Sequence, residues 1–259
     1  MTRSASSSRS ILTTNGLVIG ALLIGFANHV AIAALFGLTR NVDAYYAALM
    51  LPTLFMNLFL DYLGKNFMPT FARARKESRE LASELTSSVV TIVSLVAVGA
   101  AVLLALFGAK LFELLLPGFT AGEVELVHRY FLIMAPTLVL TAITVFHEYA
   151  CQHDEDYVRI AAIRAALPVA NLIAILALSP LIREYALPTG YLLGHVIVFV
   201  LMARRANYTY SCRISLRRDW ERKIFANSAV VMGSGLVART KVIVMNYLGS
   251  MLGGGAISA

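Results

Sequence analysis

The sequence predicts an all-α fold, a polytopic transmembrane bundle of about seven helices. Three observations carry that reading. Of 259 residues, 58% are hydrophobic and only 14% charged, and the mean hydropathy is +0.73. Such values exclude a disordered chain and argue against a water-soluble globule. Several apolar runs exceed the ~20 residues that a helix needs to cross a bilayer. The runs are continuous rather than alternating, which excludes a membrane β-barrel.

The polar, Ser-rich start, residues 1–10, carries Arg3 and Arg9 and reads as a disordered cytoplasmic tail. Helix 1 follows over about Ile11–Leu38, too long for the ~7–15-residue core of a signal peptide. Asn28 and His29 lie in its second half. Helix 2 is expected over about Asp43–Phe71, punctuated by Pro52 and Pro69, then the basic run Arg73 to Lys76 and an amphiphilic connector, Glu77–Glu84. Helix 3 covers about Leu85–Phe107, extending as far as Leu116. Leu116-Pro117-Gly118-Phe119 is a turn. Helix 4 covers about Tyr130–Tyr149 and contains Pro136; the acidic loop Asp154-Glu155-Asp156 follows. Helices 5 and 6 are expected over about Val158–Leu181 and Ala186–Ala203, and helix 7 over about Phe225–Leu252. The domain organisation is thus a tail at 1–10, a six-helix lobe at 11–203, a basic cytoplasmic linker at 204–224 and a seventh helix at 225–259.

Charge placement sets the orientation. With the N-terminus in the cytoplasm, fifteen of the 22 basic residues fall on the cytoplasmic side, four on the other side and three within helices. Cytoplasmic loops carry such an excess of Lys and Arg. The net charge of +7 therefore reads as orientation signal, not as a nucleic-acid surface. Cys151 and Cys212 fall in loops assigned to the cytoplasm, where no disulfide is expected. No metal-ligand cluster, nucleophile elbow or P-loop occurs in the sequence, so no cofactor, metal or enzyme activity is indicated. Asp154-Glu155-Asp156, the one dense acidic cluster, reads as a solvated loop.

Polar residues inside the apolar runs are the candidate site, because ionisable groups in a bilayer face a bundle interior or a wet cavity. Asn57, Asp61 and Lys65 recur every four residues and share one helix face. Asp61 and Lys65 form either a structural ion pair or a cavity group that meets a coupling ion or a lipid phosphate. Arg239 and Lys241 sit mid-helix and point roughly 200° apart, so both cannot face one cavity. Arg239 suits a bidentate phosphate contact; snorkelling of one of the two is the alternative. His29, His147 and His195 titrate near neutral pH in principle, yet a lone histidine in a bundle is more often a packing residue. Asn28, Asn57 and Asn171 read first as interhelical hydrogen-bond partners. Pro52, Pro136 and Pro168 bend their helices.

The stretch Phe36-Gly37, Asp43-Ala44-Tyr45-Tyr46, Leu51-Pro52, Phe59 and Phe67-Met68-Pro69, with Leu116 to Phe119 and Gly249 to Ser258, resembles the MurJ/MviN-type flippases of the multidrug/oligosaccharidyl-lipid/polysaccharide exporter superfamily. The resemblance covers nearly the whole chain but only about the first half of a family member. It implies a bacterial inner-membrane flippase that moves a polyprenyl-(pyro)phosphate-linked saccharide by alternating access of two lobes. The implied partners are the lipid-linked saccharide, membrane lipids, and a coupling cation or the membrane potential. It also implies a fragment: the first lobe plus helix 7. Asp43 matches the family's acidic residue, and Asp61 takes the place of a glutamate. Where the family carries phosphate-binding arginines, this chain has Asn28, with His29 beside it, and Met56 and Asn57. Lys65, Arg239 and Lys241 would then supply a different cationic arrangement. The alternatives are a cation-coupled small-molecule exporter and a non-transporting membrane assembly or scaffold protein.

Overall fold

The structure, a computed structural model, describes residues 2–56, 60–153, 156–204, 210–212, 214, 222, 224–228, 241, 243–252 and 255–258. Among the described residues every regular element is helical.

Helix α1 runs over Thr2–Phe36, so the expected disordered tail is helical from Thr2. An apolar helix that has already nucleated propagates into a flanking polar segment at little cost. Gly37 stops it: at φ +67° it adopts the left-handed conformation and its N–H donates to the Ala33 carbonyl at 3.0 Å.

The expected helix 2 is described as α2, Arg40–Phe55, and α3, Asp61–Glu77. Pro52 lies inside α2, where its ring removes a backbone donor, and wide π-type turns follow at Met56 and Leu60. Residues 57–59, including Asn57, lie outside the described set.

Helix α4 spans Arg79–Leu115 and absorbs the expected connector. Ser78 caps it, accepting from the Leu81 N–H at 3.0 Å, and Leu81, Ala82 and Leu85 are buried, so the first turns already pack. Helix α5, Ala121–Met134, starts on a capping box: Thr120 accepts from the Glu123 N–H, and the Glu123 carboxylate accepts from the Thr120 N–H. It begins well before the expected Tyr130. Helix α6, Pro136–His153, follows after a break at Ala135, because Pro136 brings no N–H to continue the ladder. Cys151, expected in a loop, lies on its last turns. Helix α7, Tyr157–Ile182, and helix α8, Ala186–Ala203, form a tight hairpin through the 3₁₀ turn Arg183–Tyr185. Residues 224–228 and 243–250 are also helical. The middle of the expected seventh helix, with Arg239, lies outside the described residues.

Among the described residues, four stretches are long and apolar enough to cross a membrane: Ser10–Phe36, Arg79–Leu115, Ala121–Gln152 and Tyr157–Ala203, the last containing the α7–α8 hairpin. The core is aromatic and lies between α3, α4, α5 and α6. Phe67, Phe112, Tyr130, Phe131 and Phe146 are fully buried there, with Phe67 and Phe146 edge to face at 5.2 Å. By contrast α1 exposes Leu22, Leu23 and Phe26 by 65–69% each. An apolar face of that extent suits lipid, not water.

The loop after α8 is tied back to α4. The Ser211 N–H donates to Ser87 Oγ at 3.1 Å, and the Tyr210 and Thr91 hydroxyls share a bond at 2.9 Å. Cys212 beside them is exposed. In a Cys151→Ser background, an impermeant maleimide added to intact cells is expected to leave Cys212 unlabelled, and to label it in inside-out vesicles. Labelling from outside would reverse the orientation expected from the basic residues.

Candidate functional site

Two adjoining cavities open among the helices that carry the polar residues. The first, about 230 Å³, lies between α1, α2, α7 and α8. Asn28, His29, Tyr45, Tyr46, Asn171 and Tyr191 provide its polar lining. Asn28 is 5% exposed, and its amide nitrogen donates to the Ile24 carbonyl at 3.1 Å and to the Pro168 carbonyl at 2.9 Å. Both hydrogens are thus committed, which fixes the amide orientation and ties α1 to α7. The Oδ1 atoms of Asn28 and Asn171 are buried without a partner among the described residues. His29 Nδ1 and the Tyr46 hydroxyl share a bond at 2.8 Å, with the rings stacked at 5.9 Å. The site is a polar cavity with aromatic walls, lined by amide, imidazole and phenol groups that offer hydrogen bonds.

The second cavity, about 260 Å³, lies between α6, α7 and α8, with Met56 at its edge. Leu167 lines both cavities. Its polar residues are Thr141, Thr144, Glu148, Arg164 and His195. Glu148 is 3% exposed, and its two oxygens accept from Arg164 Nε at 2.9 Å and Nη2 at 2.8 Å, a fork-to-fork pair. His195 Nδ1 must be protonated, because it faces the Tyr191 carbonyl at 2.8 Å.

At one end of the bundle the segment after residues 243–250 is fastened to α2. Asp43 is fully buried, and its carboxylate accepts three backbone N–H bonds: Gly255 at 2.7 Å, Ile257 at 3.2 Å and Ser258 at 2.8 Å. Gly255 sits at φ +89°, which lets successive N–H groups converge on one anion. Arg40 adds two bonds, from Nη1 to the Ser250 carbonyl at 3.3 Å and from Nη2 to the Leu252 carbonyl at 2.7 Å. The guanidinium also covers the Phe119 ring at 5.1 Å. Opposite it, the Gly118 N–H donates to Ser250 Oγ at 3.3 Å. The whole forms a polar latch between α2, the α4–α5 turn and the chain end.

The structure brings Asn28 and His29 into one cavity and places Asp43 in the latch. Asp61 opens α3, and Lys65 one turn later is exposed. Lys241 is exposed and lines neither cavity. Asn57 and Arg239 lie outside the described residues. Sequence reasoning passed over Tyr45, Tyr46 and Tyr191 as lining residues, and over Glu148 with Arg164. The signal for the latter pair was present: a carboxylate at the end of one apolar run and an arginine within the next.

A family model described as lipid II flippase MurJ matches residues 32–259. A relative from Synechocystis sp., named a probable lipid II flippase MurJ, is 31% identical over 147 residues, which is 55% of this chain and 28% of that protein. A solved structure titled lipid II flippase MurJ, inward closed conformation, superposes with a TM-score of 0.79 at 19% identity, over 95% of this chain and 52% of that one. At that identity the likeness establishes the fold. This chain spans about half the length of that structure.

Proposed function

This chain belongs to the MurJ lipid II flippase family, and we propose that it forms the first lobe and the seventh helix of a flippase that turns over a lipid-linked cell-envelope precursor. The substrate in this reading is a polyprenyl-(pyro)phosphate-linked saccharide, and the membrane is the bacterial inner membrane, with the N-terminus in the cytoplasm. The process needs no covalent chemistry. Polar cavities shelter the headgroup while the prenyl chain stays in lipid, and two lobes rock so that the cavities face one side at a time.

The observation that carries the reading is the latch on Asp43. Three N–H bonds to one buried carboxylate hold residues 255–258 against α2. Such a cluster is a discrete contact that is either made or broken, which an alternating-access transporter requires at each end of its pathway. The charge asymmetry supports an exterior position for this end, and in this reading the latched state is closed to the exterior. Coupling to a cation or to the membrane potential would bias the equilibrium between latched and unlatched states. Asn57, Asp61, Lys65, Arg239 and Lys241 are the candidates for the polar part of the pathway.

The test is transport by the full-length protein in liposomes, read as the accessibility of a fluorescent lipid-linked precursor to a membrane-impermeant quencher. Appearance of the headgroup in the opposite leaflet, faster than in empty liposomes, is the expected result. A full-length protein that leaves the precursor in its starting leaflet, with and without an imposed potential, would overturn the reading.

A further inference from the structure

The α6–α7–α8 cavity holds an arginine whose donors are only partly used. Nε and one Nη2 hydrogen of Arg164 are committed to Glu148, and the Gln152 amide adds a third donor to the same carboxylate at 3.0 Å. Both oxygens of Glu148 are thereby engaged and the plane of the guanidinium is fixed. The Nη1 amino group has no partner among the described residues, and the Arg164 side chain is 65% exposed while that of Glu148 is 4% exposed. Buried acid and open base therefore have different jobs: one holds, the other presents.

Depth sharpens the point. Arg164 lies about 10 Å along α7 from Tyr157, inside the candidate span Tyr157–Ala203. Open guanidinium donors at that position are costly in hydrocarbon unless they meet an anion or water. The planar fork with free N–H groups matches the oxygens of a phosphate, and an arginine already held by a carboxylate loses little freedom on binding one. The apolar lining residues, Met56, Leu167 and Val198 among them, suit the first carbons of a lipid chain.

We propose that Arg164, oriented by Glu148, contacts the phosphate of a membrane lipid at the mouth of this cavity. Glu148 is a positioning residue. The inference rests on the reading of the protein as a handler of phosphate-linked lipids, but an anionic phospholipid headgroup offers the same chemistry, and the experiment separates the two sources.

The 259-residue chain is placed in phosphatidylcholine nanodiscs and titrated with farnesyl pyrophosphate, with farnesol as control. In parallel its thermal midpoint is compared between phosphatidylcholine and phosphatidylglycerol nanodiscs. The expected result is binding of farnesyl pyrophosphate but not farnesol, weakened roughly tenfold or more by Arg164→Ala and less by Arg164→Lys. Glu148→Gln should weaken binding while leaving the midpoint in phosphatidylcholine close to wild type, which a purely structural role would not do. Because Arg164→Ala strands a buried carboxylate, the Glu148→Gln/Arg164→Ala protein serves as the folded control and should be equally deficient. If wild type ignores farnesyl pyrophosphate yet gains an Arg164-dependent rise in midpoint from phosphatidylglycerol, the site stands, its ligand is a headgroup, and the flippase reading loses this support. Equal responses of wild type and the Arg164 variants, or no response of wild type to either lipid, overturn the inference.

Discussion

Asp43→Ala is expected to unfasten residues 255–258 and to abolish transport by the full-length protein while the helices remain folded. The alanine removes the acceptor of three backbone N–H groups at once. A hydrogen bond to a charged group contributes about 1.5–3 kcal/mol, and donors left unpaired in a buried site cost further. Amide exchange is the direct measurement: the Gly255, Ile257 and Ser258 amides should lose protection in the variant, whereas amides within α8 should not change. Asp43→Asn should fall between, since one oxygen still accepts but the amide group confronts an N–H with an N–H. Protection that survives Asp43→Ala would show that Arg40 and Gly118 alone hold the segment, and the latch would then not depend on the carboxylate.

How legible the fold was depends on what ends each helix. Helix α8 runs over Ala186–Ala203, the same range that its apolar run specifies, and α7 differs by one residue at either end. There hydropathy alone marks the boundary. It misplaces α4 and α5, whose starts are set by Ser78 and by the Thr120–Glu123 box, local hydrogen bonds that make polar residues part of the helix. Within the Asp43 to Phe71 run, the π-type turns at Met56 and Leu60 have no signature in composition. The site divides in the same way. Asn28 and His29 stand out as polar residues in an apolar run, but tyrosines count as apolar and their hydroxyls go unnoticed. Asp43 was legible only through resemblance, since its partners are backbone N–H groups, which no side chain announces. Glu148 and Arg164 are charges in the sequence with nothing to pair them; only the packing of α6 against α7 shows that one is buried and the other open.

Gly118→Ala is expected to break the same latch from its opposite wall. A Cβ at Gly118 would fall on the Ser250 carbonyl and lie 2.7 Å from the Met251 Cα. These are backbone atoms, so no side-chain rotation relieves the overlap, and the end of the 243–250 helix must move away. That movement takes Ser250 Oγ from the Gly118 N–H and pulls the Ser250 and Leu252 carbonyls from Arg40. Gly122→Ala is the matched control: it lies four residues later with no atom within 4 Å of the added Cβ, and on the first turn of α5 alanine is the better helix former by up to about 1 kcal/mol. The pair separates contact from composition. Gly118→Ala should expose the Met251 and Leu252 amides to exchange and reduce transport by the full-length protein at least tenfold, because displacing this segment also withdraws the N–H groups of residues 255–258 from Asp43. Gly122→Ala should match wild type in both. Equal behaviour of the two variants would mean that the chain end yields without consequence, and that the close approach at Gly118 is packing alone.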